Sequence, residues 1–294
     1  MGNRDCRGLY HNCHGIRGVK IMRVFPRRTK ATPVDDLVRI NCQPGLFDTA
    51  DEIHISVAFT YDLPIAEKLE KQWKHVAPCK IGGPATGEAG GHYVPGMYLK
   101  QGYVITSRGC PNRCWFCSVW KREGNIRELS IAEGWNVLDD NLLACSDEHI
   151  KKVFYMLQKQ KHLVEFTGGL EAKRLTVSMA HRLKDLKPKQ LFFAYDTPDD
   201  LEPLREAGKQ LIEAGFSTAS HVLRSYVLCG YPKDTFEQAE KRMFQTIEAG
   251  FMPMAMLYRS DTGERDIEWS RWQRNWARPT IIGINRCQPK QHQK

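Results

Sequence analysis

Two rhythms of apolar residues run along this chain. Near its start the runs are short. Residues 19–25 (VKIMRVF) and 53–59 (IHISVAF) carry the compact apolar stretches of strands. Between 64 and 76 the period changes: Ile65, Leu69, Trp73 and Val76 form a one-sided stripe, and Pro64 suits a first helical turn. A brief apolar stretch then feeds the glycine-rich loop KIGGPATGEAGG, and residues 84–98 read as a linker or covering loop. The first 98 residues are thus expected to form a small α/β layer.

From residue 102 the alternation becomes regular. Strands are expected at 102–107, 135–139, 163–167, 190–195, 222–228 and 251–257. Helices fit 147–160, 198–214 and 234–249, each with apolar residues on one face and with Asp147, Asp199 or Asp234 in or beside its start. Repeated strand–helix units mean a parallel sheet with helices outside. Six units are too few for a closed eight-strand barrel, so the expected class is α/β, with a partial (β/α)6 barrel over 99–258. Its site should lie in loops at the C-terminal strand ends.

Composition narrows the class. Hydrophobic residues make up 41% and charged residues 26%, which excludes a disordered tail. No apolar run approaches the roughly 20 residues of a membrane helix, and MGNRDCRGLYHNCHG lacks the apolar stretch of a secretory signal. A soluble, cytoplasmic protein is expected. The net charge of +9 sits at the ends: residues 1–30 hold eight basic and one acidic residue, and 259–294 hold eight and four. Basic ends suit a phosphate backbone or plain solubility.

Three of the ten cysteines fall within eight residues, Cys110, Cys114 and Cys117, directly after the first barrel strand. Three thiolates can hold three irons of a 4Fe–4S cube and leave the fourth open, whereas a closed electron-transfer cluster needs a fourth Cys. A zinc site with a distant fourth ligand is the alternative. Cys145 and Cys229 read as ordinary small buried residues.

The segment GCPNRCWFC resembles the signature of the radical S-adenosylmethionine enzymes, Cys-x3-Cys-x-aromatic-Cys, with Phe116 in the aromatic place. The resemblance spans residues 100–258. It implies that the three cysteines bind a 4Fe–4S cluster and that S-adenosylmethionine chelates its open iron. An external flavodoxin- or ferredoxin-like reductant would supply one electron, and the resulting 5′-deoxyadenosyl radical would take a hydrogen from the substrate. Phe116 would lie near the adenine. Two segments compete for the cofactor's amine. The family's glycine turn follows strand 2, whereas Gly168-Gly169, with Leu170 and Glu171 behind it, follows strand 3 here. Strand 2 ends instead in Asp139-Asp140-Asn141, as in family members with a preceding cobalamin-type domain, and strand order favours this segment. In RSYVLCGYP, Gly230 and Tyr231 match the adenine-packing turn. Arg224 would reach a carboxylate or substrate phosphate, unless it faces an edge. Asp196 would bind ribose hydroxyls or cap a helix with Asp199 and Asp200, and Tyr258 would line the mouth.

The first 98 residues resemble a cut-down cobalamin-binding domain without the Asp-x-His-x-x-Gly that ligates cobalt, and His54 lies within a predicted strand. Cys6, His11, Cys13 and His14 match no strong metal spacing. In 268–279, Trp269, Trp272 and Trp276 share one helix side, expected to pack, while Arg271, Arg274 and Arg278 occupy another. The compact chain with basic ends resembles small phage- and prophage-encoded enzymes. The leading expectation is therefore modification of a base in DNA or of a nucleotide. Peptide or metabolite modification and methyl or methylthio transfer are the enzymatic alternatives. A non-catalytic iron–sulfur protein, transferring electrons or binding nucleic acid, is the alternative of another class.

Overall fold

The computed structural model describes residues 18–260, 263–264, 266–276 and 282. Arg278, Cys287 and the Cys6/His11/Cys13/His14 group lie outside the described residues. The chain forms two compact units, one of residues up to Thr86 together with Gly96–Gln101, the other of Gly87–Pro95 together with Gly102 onward.

The first unit is a four-stranded parallel sheet of β1 (Ile21–Phe25), β2 (Val38–Ile40), β3 (Glu52–Ser56) and β4 (Cys79–Gly82), in the order β2-β1-β3-β4. Helix α1 (Leu63–Trp73) joins β3 to β4. Alternation puts Met22, Val24, Ile53 and Ile55 on one face, where they pack with Ala66, Leu69 and Trp73 of α1. Arg23 is on the other face, buried, and bonds to Asp35 and to the carbonyls of Gly96 and Met97. Strand β2 is an addition to the sequence reading, too short at three residues for a period to register, whereas β4 is the brief apolar stretch that feeds the glycine-rich loop.

The second unit carries six parallel strands in sequential order: β5 (Tyr103–Val104), then, past a two-stranded hairpin of β6 (Ser107–Arg108) and β7 (Arg127–Glu128) that holds α2 (Val119–Arg122) between its strands, β8 (Asn136–Val137), β9 (Glu165–Phe166), β10 (Gln190–Tyr195), β11 (Leu223–Cys229) and β12 (Met252–Leu257). Helices α3 (Asp147–Gln158), α4 (Val177–Asp185), α5 (Leu201–Glu213) and α6 (Phe236–Glu248) connect β8 through β12, and α7 (Ile267–Asn275) follows. Val104, Val137, Phe166, Leu191 and Leu223 form one buried row across five strands. All five connections run the same way, so the C-terminal strand ends share one edge.

The first strand of this sheet is shorter than the expected 102–107. The Thr106 amide donates to Asp139 Oδ1 at 2.6 Å, and Ser107 turns away into the hairpin. Helix starts are capped by neighbours of the expected aspartates. Ser146 caps α3 and Thr235 caps α6, while Thr197 and Asp200 form a capping box before α5. Among the described residues no helix is long and apolar enough to cross a membrane.

Candidate functional site

The three cysteines sit on the loop between β6 and β7. The turn is tight: Cys110 N donates to Gly124 O, Cys117 N to Cys114 O, and the Trp120 indole to Cys114 O at 3.0 Å. Gly109 opens it with φ +87°, and a Cβ there would come within 2.2 Å of Asn125 O. No other residue fits. Glu123 anchors the loop from beneath. Its carboxylate is almost fully buried and receives Arg122 at 3.0 Å, Arg127 at 2.9 Å and the Gly90 amide. Burial opposes its charge, but these donors hold it below the usual carboxylate range.

Burial, and the neighbouring Cys117 and Cys110, push the Cys114 thiol up to about 11; burial also raises Cys117. Among the described residues no three His, Cys, Asp or Glu side chains stand in a ready-made metal shell. The donor set itself is soft and of the right kind for iron–sulfur ligation.

Around the loop lie the ends of other strands. Asp139 is 1% exposed and accepts Thr106 N, Thr106 Oγ1 and Ser107 Oγ at 2.6–2.7 Å. The sequence suggested a cofactor contact, but its oxygens are occupied in pinning the end of β5. Asp140 Oδ2 accepts the Gly109 amide at 2.8 Å and likewise supports the loop. Asn141 is different. Its Nδ2 donates to Cys110 Sγ at 3.3 Å and to Glu171 Oε2 at 2.6 Å, and its buried Oδ1 has no partner. The two segments that competed for one role therefore meet at one place. Glu171 also bonds Asn112 and Arg174; burial opposes its charge, yet these bonds hold it below the usual range, so it is an anion at neutral pH. Sequence reasoning named Glu171 only as the neighbour of the glycines. The signal was the Gly-Gly-x-Glu spacing, and strand order obscured it. Gly168 serves packing, since a Cβ would lie 2.2 Å from Asp139 O; Gly169, at φ +101°, faces open space.

An aromatic wall closes the other side. Trp115 is 54% exposed, and its ring lies 5.4 Å from Phe116, 5.7 Å from Tyr231 and 5.8 Å from Tyr258. The first strand's loop is thereby joined to the ends of β11 and β12. Beneath Tyr231, the buried Arg242 bonds Asp234 Oδ2 at 2.7 Å and Leu228 O at 3.0 Å, and Asp234 accepts the Gly230 amide. Asp196, at the end of β10, is pushed up to about 7 by burial and by Asp200.

Arg224 stands apart. It is the second residue of β11, about 20 Å along the strand from Gly230. Its Nε donates to His221 O and its guanidinium lies 5.7 Å from the Phe192 ring, on the sheet face opposite the one that sends Tyr195 to Gln245 of α6. Its place is away from the strand-end residues. Cys229 is fully buried, bonds Met256 O and is pushed up to about 12, whereas Cys145 is only partly buried. Trp269 and Trp272 pack on Phe236, and Trp276 on Phe244, so the tryptophan stripe is packing surface, as expected.

No protein-family model matches the chain, and no curated protein matches it.

Proposed function

We propose that the protein is a radical S-adenosylmethionine enzyme whose second unit is a partial (β/α)6 barrel. The observation that carries this reading is Asn141, which bridges a cysteine of the Cys-x3-Cys-x2-Cys loop to an ionised Glu171 and keeps a buried, unpartnered oxygen. The fit to the implied group rests on three soft thiols on one rigid loop, an anion beside them for the cofactor's amine, and an aromatic wall for its adenine. When bound, a 4Fe–4S cluster and S-adenosylmethionine would supply reductive cleavage and hydrogen abstraction from an unactivated C–H bond.

Cys110, Cys114 and Cys117 would hold the cluster, and Glu123 with its arginines keeps their loop in place. Glu171 and Asn141 would orient the cationic amine. Phe116, Tyr231, Gly230 and Tyr258 would wall the adenine and exclude water, with Asp196 at the ribose. The sequential sheet order and the contact of Trp115 with Tyr231 and Tyr258 support curvature into a barrel. Arg224, about 20 Å along β11 from Gly230, takes no part in this reading of the site. A base in nucleic acid or a free nucleotide is the substrate class proposed. Exposed Arg113, Lys121 and Arg127 on the cysteine loop suit an acidic electron donor.

The test is anaerobic reconstitution with iron and sulfide, then addition of S-adenosylmethionine and a strong reductant. Mass spectrometry should find 5′-deoxyadenosine and methionine, and the Cys110/Cys114/Cys117 triple alanine variant should make neither. A four-iron protein that neither binds nor cleaves the cofactor would overturn the reading in favour of an electron-transfer or binding protein.

A further inference from the structure

The first unit has a feature that this chemistry does not use. In its sheet the chain passes from β1 to β2 on one side, then to β3 on the other. The connections leaving β1 and β3 diverge there, and open parallel sheets bind ligands at the carboxyl ends of such a switch point. Arg27, Arg28 and Lys30 follow β1, and all three are exposed. Phe59 and Tyr61 follow β3. Their rings stack with centroids 5.2 Å apart and planes 8° apart. The Arg27 guanidinium lies 4.9 Å from the Tyr61 ring and 5.8 Å from that of Phe59.

This arrangement is held from below. Asp62, with a side chain only 2% exposed, takes two bonds of 2.5 Å from Arg27 Nε and Nη2. The guanidinium is therefore oriented before any ligand arrives, and the local acid is consumed. The Arg27–Asp62 pair is neutral in sum, so the net positive charge of this loop comes from the exposed Arg28 and Lys30, and Phe59 is 40% exposed. A flat ring joined to an anion answers both features.

We propose that the switch-point edge of the first unit binds a nucleoside phosphate, the base on the Phe59–Tyr61 platform and the phosphate against Arg27, Arg28 and Lys30. The same chemistry is offered by a free nucleotide and by a single strand, and length of the probe separates them.

The experiment is calorimetric titration of the full chain, without cluster or S-adenosylmethionine, at low and moderate salt. The probes are thymidine monophosphate, AMP, thymidine, inorganic phosphate and a ten-residue oligothymidylate. Both monophosphates should bind at least tenfold more tightly than thymidine or phosphate, and salt should weaken them. Phe59→Ala should weaken binding about tenfold, and Arg28→Ala should weaken it and lower its salt dependence. Both residues are exposed, so both variants should keep the parent's circular dichroism and melting temperature. A much tighter oligonucleotide names a strand as the ligand, and equal affinity names the nucleotide. Phosphate binding as well as the monophosphates overturns the base platform. Binding that survives both substitutions places the nucleotide elsewhere, and no binding overturns the proposal outright. Neither failure touches the 5′-deoxyadenosine test.

Discussion

Asp139 accepts three hydrogen bonds in a place closed to water, so its truncation strands Thr106 N–H and two hydroxyls. Asp139→Ala should cost about 3 kcal/mol in chemical denaturation. Asn141→Ala, two residues on, should cost about 1 kcal/mol yet weaken S-adenosylmethionine binding more than tenfold by calorimetry on the reconstituted protein. Equal effects on stability, with no difference in binding, would reverse this assignment. Asp196 offers a signed pH test. Its folded value, about 7, lies above the ordinary 3.8, so the native state binds more protons than the unfolded chain between those values. Its contribution to stability therefore rises as pH falls from about 7 toward 4. Asp196→Asn should stabilise the protein at pH 8 by roughly 1–3 kcal/mol and flatten that part of the profile.

At the scale of elements, the cysteine loop owes its shape to Glu123. A carboxylate ringed by Arg108, Arg122 and Arg127 has its folded value lowered, so its stabilisation is full above the unfolded value near 4.5 and is lost as pH falls through the folded one. Glu123→Gln leaves the arginines underpaired. Amide hydrogen exchange over 109–127 should speed up selectively, and iron content after reconstitution should drop, while α3 to α6 stay protected. Helix α7 packs by its indoles, and Trp276 is 1% exposed against Phe244. Trp276→Ala should cost about 3–5 kcal/mol, whereas Arg271→Ala, on the exposed side, should stay within about 0.5 kcal/mol. The helix was legible from the spacing of its tryptophans. The cap residues were legible only to within a position, because Ser, Thr and Asp compete locally for the same free amides.

At the scale of the whole molecule, the chain crosses between its two units more than once. Residues 87–95 belong to the second unit, where the Gly90 amide bonds Glu123 and the Tyr93 hydroxyl donates to Tyr103 O. A Gly/Pro-rich stretch with no period reads as linker; its role follows from partners more than thirty residues away in one case. A chain beginning at residue 87 should therefore melt several degrees above one beginning at residue 102, which loses both anchors.

Local pattern alone determined the α/β class, the six parallel strands, three of the helices between them and the Cys110/Cys114/Cys117 loop, since strand and helix periods and a ligand spacing are short-range properties, whereas α4 (Val177–Asp185) was not read. Tertiary structure decided which polar side chains are free to work. Asp139, Asn141, Gly168 and Glu171 carry similar promise in a line of letters. Only the approach of β5, β8 and β9 fills the oxygens of Asp139, closes the space over Gly168 and leaves Asn141 between a thiol and a carboxylate. Hydrogen-bond occupancy is a relation between distant segments, and a spacing along the chain does not contain it.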